Sequence, residues 1–351
     1  HTGEGQHMTH PPAVSVIIPL YNDAGSILIT LKALAKQENA PEFEVIVIDD
    51  GSRDGGAAQV RAHSTPYAMQ IVNQPNGGPS TARNHGARLA VAPLILFLDA
   101  DCTPPPNWVA DMSAAMGPDT GFQAVMGTIT AAHDGPIPRI VQAEVEERYH
   151  LMRQATNGVD FIAAPSCGFH ADVFRALGGF DETLRQAEDV EIAYRTTAAG
   201  HRIAFVDTAP VAHAHQTGWW EFIRVKHRRA MGRMRVFALY PEKQRHDSWT
   251  PMSLKLQFGF TAAAMLCLLF WFILNGPLWP TLLSLALALF AGRDTIRDLG
   301  TKLADLNGPV MAHLMGAGFV LARALAILAA VARVKLRQQI TRFANRKRVQ
   351  P

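Results

Sequence analysis

At 351 residues the chain is long enough for one large domain plus a smaller region. Hydrophobic residues make up 48% and charged residues 18%, below the roughly 25% charged content of an ordinary soluble domain, so part of the chain is expected in lipid. A net charge of +3 is too small to support nucleic-acid binding, and the three scattered cysteines, Cys102, Cys167 and Cys267, form no disulfide framework and fit a reducing compartment.

Taken in chain order, His1 to Met8 carry no apolar run and read as the remnant of an affinity tag, so residues 1–12 are set aside from the fold. No signal peptide follows, and the next domain is expected in the cytoplasm. Residues 14–19 form a short apolar run that predicts a buried strand, and 25–36 have helical period. Strands are predicted again over 43–49, 69–73 and 94–98, with a helix over 79–91 that opens on Pro79. Near-continuous apolar strands with helices between them predict an α/β fold with a mainly parallel sheet covered on both faces. Ligands bind such sheets beyond the carboxyl ends of the strands. Two of the predicted strands end in acids there, one in Asp49–Asp50 and one in Asp99–Ala100–Asp101.

This domain is placed at residues 13–218. Residues 219–250 read as a basic interfacial segment of helical character, because Phe222 to His246 hold eight Lys or Arg, among them Arg228, Arg229 and Arg233, against the single acid Glu242. Such a segment suits anionic headgroups or diphosphates, and a solvated helix face has the same composition. Residues 251–334 read as transmembrane or interfacial helices. From 256 to 292 there is no Asp, Glu, Lys, Arg or His, room for two short passes around Asn275–Gly276–Pro277, and 309–334 is apolar apart from His313, Arg323 and Arg333. The basic tail, 335–351, is expected in the cytoplasm by the positive-inside rule. Two spans plus one interfacial helix satisfy that constraint.

Four acidic or histidine sites bear on chemistry. Asp49–Asp50–Gly51–Ser52 can present a carboxylate to a base or ribose, although the same string is a common turn. Asp99–Ala100–Asp101 at a strand end suits a hard divalent cation bridging a pyrophosphate. Glu188–Asp189 precedes a helical pattern, where acids also serve as dipole partners. His213–Ala214–His215, on a strand, would turn both imidazoles to one face.

The ordered set matters more than any member. Val16–Ile17–Ile18–Pro19 with Tyr21–Asn22 comes first, followed by the Asp49–Asp50 site and by Asn76–Gly77–Gly78–Pro79 with Ala82–Arg83–Asn84. Asp99–Ala100–Asp101, Gly178–Gly179–Phe180–Asp181, Glu188–Asp189 and His213–Ala214–His215 complete the series. From about residue 14 to 235 this series resembles the family 2 glycosyltransferases of the GT-A fold, a Rossmann-like architecture. The resemblance implies inverting transfer from a nucleotide-diphosphate sugar, UDP foremost, with Mn²⁺ or Mg²⁺. It implies Asp50 for the base, and Pro19, Tyr21 and Asn22 around the nucleoside. Arg83 and Asn84 would lie by the diphosphate, Asp99 near the ribose, and Asp101 on the metal with His213 or His215. Asp189 would be the general base with Glu188 beside it, and Cys167 and Gly168 would lie on the acceptor side. The acceptor would be lipid-linked or a glycan, and the enzyme would sit on the inner membrane facing the cytoplasm. The QxxRW string of the processive synthases is missing; residues 227–233 read His-Arg-Arg-Ala-Met-Gly-Arg, which implies transfer of one or a few sugars. A nucleotidyltransferase and an inactive membrane scaffold are the rival readings. The first would need a Gly-rich phosphate loop where Pro-Leu-Tyr-Asn stands, and the second ill fits intact Asp50, Asp101 and Asp189.

Overall fold

Val14–Leu20 forms β1 because both of its faces are apolar apart from Ser15, whose hydroxyl donates to Glu44 Oε1 at 2.6 Å: all but one of its residues are buried, as expected for a strand covered on both sides. In the computed structural model, residues 11–244 and 247–348 are described. Residues 1–10, most of the stretch read above as a tag remnant, and the last three residues of the basic tail lie outside them. The chain divides into two units, the first made of residues up to 133 with 152–214, the second of 134–151 with 215 onward.

In the first unit the elements run α1 (Ile27–Leu34), β2 (Phe43–Asp49), α2 (Gly56–Ala62), β3 (Ala68–Asn73), α3 (Pro79–Leu89), β4 (Leu94–Leu98), β5 (Cys102–Thr103), α4 (Trp108–Ala114) and β6 (Ala124–Ala131). After α5 (Pro136–Arg153) come β7 (Ser166–His170), α6 (Ala171–Ala176), α7 (Glu188–Ala198) and β8 (Ile203–His213). The predicted strands and helices of the amino-terminal half all form, within a few residues at their ends. One eight-stranded sheet results, in the order β3-β2-β1-β4-β7-β6-β8-β5. It is mixed: β1 pairs in parallel with β2 and β4, whereas β7 runs antiparallel to β4 and β6. The crossover to β7 turns a doubly wound half into a GT-A-like sheet, with β8 parallel to β6 and carrying β5 on its edge.

Helix α3 lies directly on β1. A Cβ at Gly86 would come within 2.4 Å of Ile17 Cγ2, and Ile17 is a branched, fully buried strand residue that cannot swing aside. Gly86→Ala is therefore expected to lower stability by about 1–3 kcal/mol, the usual cost of overpacking, read as a lowered denaturation midpoint. An unchanged midpoint would show that α3 shifts freely.

The second unit joins residues 136–151 of α5 to α8 (Trp219–Leu239), α9 (Met252–Leu274), α10 (Trp279–Ala291), α11 (Arg293–Lys302), α12 (Ala304–Asn307) and α13 (Pro309–Arg348). Its core packs Ile137, Ile140, Phe222, Leu299, Phe319 and Val320. Among its helices lies a buried ionic group: Glu144 accepts from Arg148 Nη2 at 2.7 Å and from Lys226, and Arg323 Nη1 is 3.5 Å away. Burial pushes the Glu144 carboxyl up, and the three cations overcome it and hold it well below the usual carboxylate range. Arg323 also donates to Gln257 at 2.7 Å, which explains how α13 accommodates an arginine inside its apolar stretch.

Among the described residues, two helices are long and apolar enough to cross a membrane, Met252–Leu274 and Pro309–Leu336. This differs from the two short passes read over 256–292. The apolar stretch there breaks at Asn275, which takes a left-handed φ of 49°, and leaves α10 with 13 residues. Thirteen residues rise only about 20 Å, short of the ~30 Å hydrocarbon core. The longer helix starting at Pro309 takes the second candidate span instead.

Candidate functional site

The carboxyl ends of β1 and β2 lie side by side, with Pro19 opposite Ile48 and Leu20 opposite Asp49. The loops that follow are tied together by backbone and side-chain bonds. Asn22 holds a left-handed φ of 52°; its N–H donates to Ser52 Oγ at 3.0 Å, and its Oδ1 accepts from the Arg53 N–H at 2.8 Å. Asp49 Oδ1 accepts from the Ser52 N–H at 2.9 Å. Asp50 organises a third loop: Oδ1 accepts from Gln74 Nε2 at 2.7 Å and the Gly77 N–H at 2.8 Å, and Oδ2 from the Gly78 N–H at 2.8 Å. Gly78 can enter that turn because its φ of 93° suits glycine. Pro19, Tyr21, Asn22 and Asp50 thus gather on one sheet edge, and Tyr21 is half exposed there.

The acids after β4 meet the end of β8. Cys102 pairs with His213 in the short antiparallel β5–β8 ladder, which brings His213 Nε2 to 3.6 Å from Asp101 Oδ2. One ligand atom each from Asp101, Cys102 and His213 fall within 4.8 Å of one another. Burial raises the Asp101 pKa; His213 works against that, and the charges of Asp99 and Asp23 add to it. Asp23 is likewise raised, by burial first and then by Asp54 and Asp99. Carboxylates crowded at cost to their own ionisation, with an imidazole beside them, fit a divalent cation, whose charge would relieve the repulsion. Cys102 is completely buried in the core and its thiol is pushed up by that burial, so Asp101 and His213 are the better-placed donors. His215 stands beyond the last residue of β8, where the two-residue alternation of a strand no longer applies, and it falls in the second unit.

Behind the acids sits Arg83. Its side chain is buried; Nη2 donates to Asp99 Oδ1 at 2.5 Å and Nη1 to Glu188 Oε1 at 3.3 Å. Burial works against its charge, but Asp99 and Glu188 hold the guanidinium firmly protonated. The arginine therefore links the β4 acids to the start of α7. Glu188 is pushed up to about 6, by burial first and by the charge of Asp189 next. Asp189 accepts from its neighbour's N–H at Val190, 2.8 Å, and from the Ala164 N–H at 3.4 Å. Asn84, one residue from Arg83, takes another direction. Its Oδ1 accepts from the Phe180 N–H at 2.8 Å, and its Nδ2 donates to Phe180 O at 2.8 Å and Glu182 Oε1 at 2.9 Å. That clamp explains Gly179: with φ 74° and Asn84 Oδ1 only 2.5 Å from where a Cβ would be, no other residue fits.

Cys167 and Gly168 lie within β7, opposite Phe97 and Leu96. A Cβ at Gly168 would meet Leu96 Cδ2 at 2.4 Å, so this glycine lets β7 lie against β4. Arg228, Arg229 and Arg233 belong to α8 of the second unit. The first two are exposed, and Arg233 donates to Asp247 Oδ2 at 2.7 Å. Asp23 and Gln74 were not singled out in the sequence, and Gly77–Gly78 were named only as part of a motif, without their bonds to Asp50. Asp23 follows Tyr21–Asn22 directly, and that adjacency was the available signal.

Comparison with known proteins bears on the family and the fold. The family model described as Glycosyl transferase family 2 matches residues 15–178. The chain is 41% identical over 228 residues to a validoxylamine A glucosyltransferase of Streptomyces hygroscopicus subsp. limoneus, a match covering 55% of this chain and 49% of that protein. It is 28% identical over 237 residues to the glycosyltransferase AglE of Haloferax volcanii, covering 65% and 75%. The chain thus spans about half the length of the first relative. Among solved structures, the mannosyltransferase PcManGT from Pyrobaculum calidifontis, in complex with GDP-Man and Mn²⁺, superposes with a TM-score of 0.57 at 20% identity over 93% of this chain and 87% of that one. That likeness establishes the GT-A fold.

Proposed function

We propose, from the premise that residues 15–178 belong to glycosyl transferase family 2, that the chain transfers a sugar with inversion from a nucleotide-diphosphate donor to an acceptor hydroxyl. The observation that carries this reading is the 3.6 Å approach of His213 to Asp101 among the crowded acids at the sheet edge, beside the loops that Asp50 and Asn22 organise. Validoxylamine A glucosyltransferase and AglE act in sugar transfer by name, and the PcManGT complex holds GDP-Man with Mn²⁺.

Asp101 and His213 would hold a divalent cation, Mn²⁺ or Mg²⁺, which when bound supplies positive charge to the diphosphate leaving group. Asp50 takes the base: a carboxylate has about four acceptor sites, and the loop bonds occupy three. Tyr21 offers an exposed ring beside it. Arg83 keeps Asp99 fixed at the ribose side. Asp189, at the amino end of α7, accepts the proton of the attacking hydroxyl. A thermal-shift panel of nucleotide diphosphates and nucleotide sugars with Mn²⁺ or Mg²⁺ tests the donor class, since a ligand that binds only the native state raises the melting temperature. A shift with nucleoside triphosphates alone would favour nucleotidyl transfer, and no shift with any nucleotide would favour an inactive scaffold.

The acceptor is membrane-associated or a glycan, and the chain is held at the cytoplasmic membrane face through α9 and α13. Apolar side chains along α9 are exposed, Phe272 at 79% and Ile273 at 63%, in a helix with no charged residue after Lys255. The full chain is expected in the membrane fraction, resisting extraction by high salt and carbonate. Solubility of the full chain without detergent would sink the anchor.

A further inference from the structure

The first unit holds a second concavity. A cleft of about 400 Å³ is lined by Phe122, Phe205, Met152, Ala155 and Gly158, with Arg153 and Asp207 at its mouth. That volume lies within the 300–1,000 Å³ of small-molecule sites. Phe205 lies near the start of β8 and His213 at its end, so eight residues at ~3.3 Å each put the cleft about 25 Å along the strand from the metal donors. It is not part of the site described above.

We propose that this cleft is a second, non-catalytic carbohydrate site that takes a neutral pyranose ring. Three features carry the inference. The floor is apolar and carries two aromatic rings, Phe122 and Phe205, the surface on which the C–H face of a sugar ring packs. One face of Phe122 is already covered by Arg202, whose guanidinium lies 4.3 Å from the ring centre, so the ring is fixed before any ligand arrives. At the mouth, Arg153 Nε donates to Asp207 Oδ2 at 2.7 Å, with about two fifths of each side chain exposed. A planar guanidinium–carboxylate pair offers donors and acceptors side by side, the pattern that vicinal hydroxyls match. Because that pair is neutral, the cleft suits an uncharged ring better than a phosphate. The choice of a sugar over other neutral amphipathic rings rests on the sugar-transfer reading, in which an acceptor glycan is held at two points along the domain.

The test is saturation-transfer NMR on the full chain in detergent with the methyl glycosides of glucose, galactose, mannose and N-acetylglucosamine, in EDTA and without nucleotide. At least one glycoside is expected to take up saturation on its ring protons, undiminished in Asp101→Ala. The signal is expected to fall at least tenfold in Phe205→Ala and Asp207→Ala. It should fall equally in Ala155→Trp, which fills the mouth without removing a core side chain and keeps the test valid if the truncations unfold. No signal from any glycoside, a signal indifferent to Ala155→Trp, or one lost in Asp101→Ala would overturn the site. Glycoside binding in a chain that transfers no sugar would overturn the transferase reading and leave the cleft standing.

Discussion

Asp189→Asn is expected to transfer sugar at least about 100-fold more slowly than the wild type with nucleotide affinity unchanged. A general base contributes 10²–10⁴-fold, and the lower figure corresponds to about 2.7 kcal/mol of barrier. The competitor is Glu188, and the two acids have different partners. Adjacent helix positions point about 100° apart, and Glu188 is turned to Arg83 at 3.3 Å, which ties it to the donor side through Asp99. Asp189 instead accepts from the Val190 and Ala164 N–H groups, bonds that an Asn side chain reproduces in part, so shape survives and basicity does not. Glu188→Gln should cost less in rate. It should also remove an inflection near pH 6 from the pH profile, because below about 6 Glu188 takes up a proton and drops its charge toward Arg83. Turnover, nucleotide affinity and pH profiles of both variants decide the matter. Near-normal transfer by Asp189→Asn would move the base elsewhere, and an equal loss of affinity and rate would make Asp189 a structural cap.

The sequence was most legible where one local pattern decides the structure. The buried strands β1, β2 and β4 read as apolar runs because both sheet faces are covered, and the acids after β2 and β4 stand at the carboxyl ends of those strands as expected. Later elements depended on tertiary context. β7 carries Ser-Cys-Gly-Phe-His, with no periodicity of its own, and becomes a strand because Gly168 permits close approach to Leu96. Residues 134–151 look like part of the catalytic domain by position, yet Glu144 finds its cations on α5, α8 and α13, and that stretch groups with the carboxyl-terminal helices. Partnership between side chains was likewise invisible. Arg83 and Asn84 are adjacent in a motif, but one joins two acids and the other clamps the Gly179 loop. The pairing of His213 with Asp101 follows from the β5–β8 register, which two-residue alternation along one strand cannot supply.

Asp101→Ala is expected to abolish cation-dependent donor binding altogether. Asp101 is the carboxylate on which the group converges: His213 approaches it at 3.6 Å, and the charges of Asp99 and Asp23 act on it. Without it, His213 would be left to hold a divalent ion against a diphosphate with no carboxylate of its own pair. Asp99 cannot substitute, because Arg83 holds it at 2.5 Å. The same crowding supplies a control for misfolding. Burial and the neighbouring acids push the Asp101 carboxyl up, so the ionised group is held at a cost in the metal-free protein. Removing it relieves that repulsion, and the metal-free variant should melt no lower than the wild type. The measurement is a thermal-shift titration with nucleoside diphosphate in Mn²⁺ and in EDTA. The wild type should gain stability only with the metal, and Asp101→Ala should gain none in either condition. His213→Ala should weaken the metal response without erasing it, since one carboxylate remains. Donor binding that persists in EDTA, or an Asp101→Ala protein that still responds to Mn²⁺ with nucleotide, would show that the diphosphate is held without this cation site.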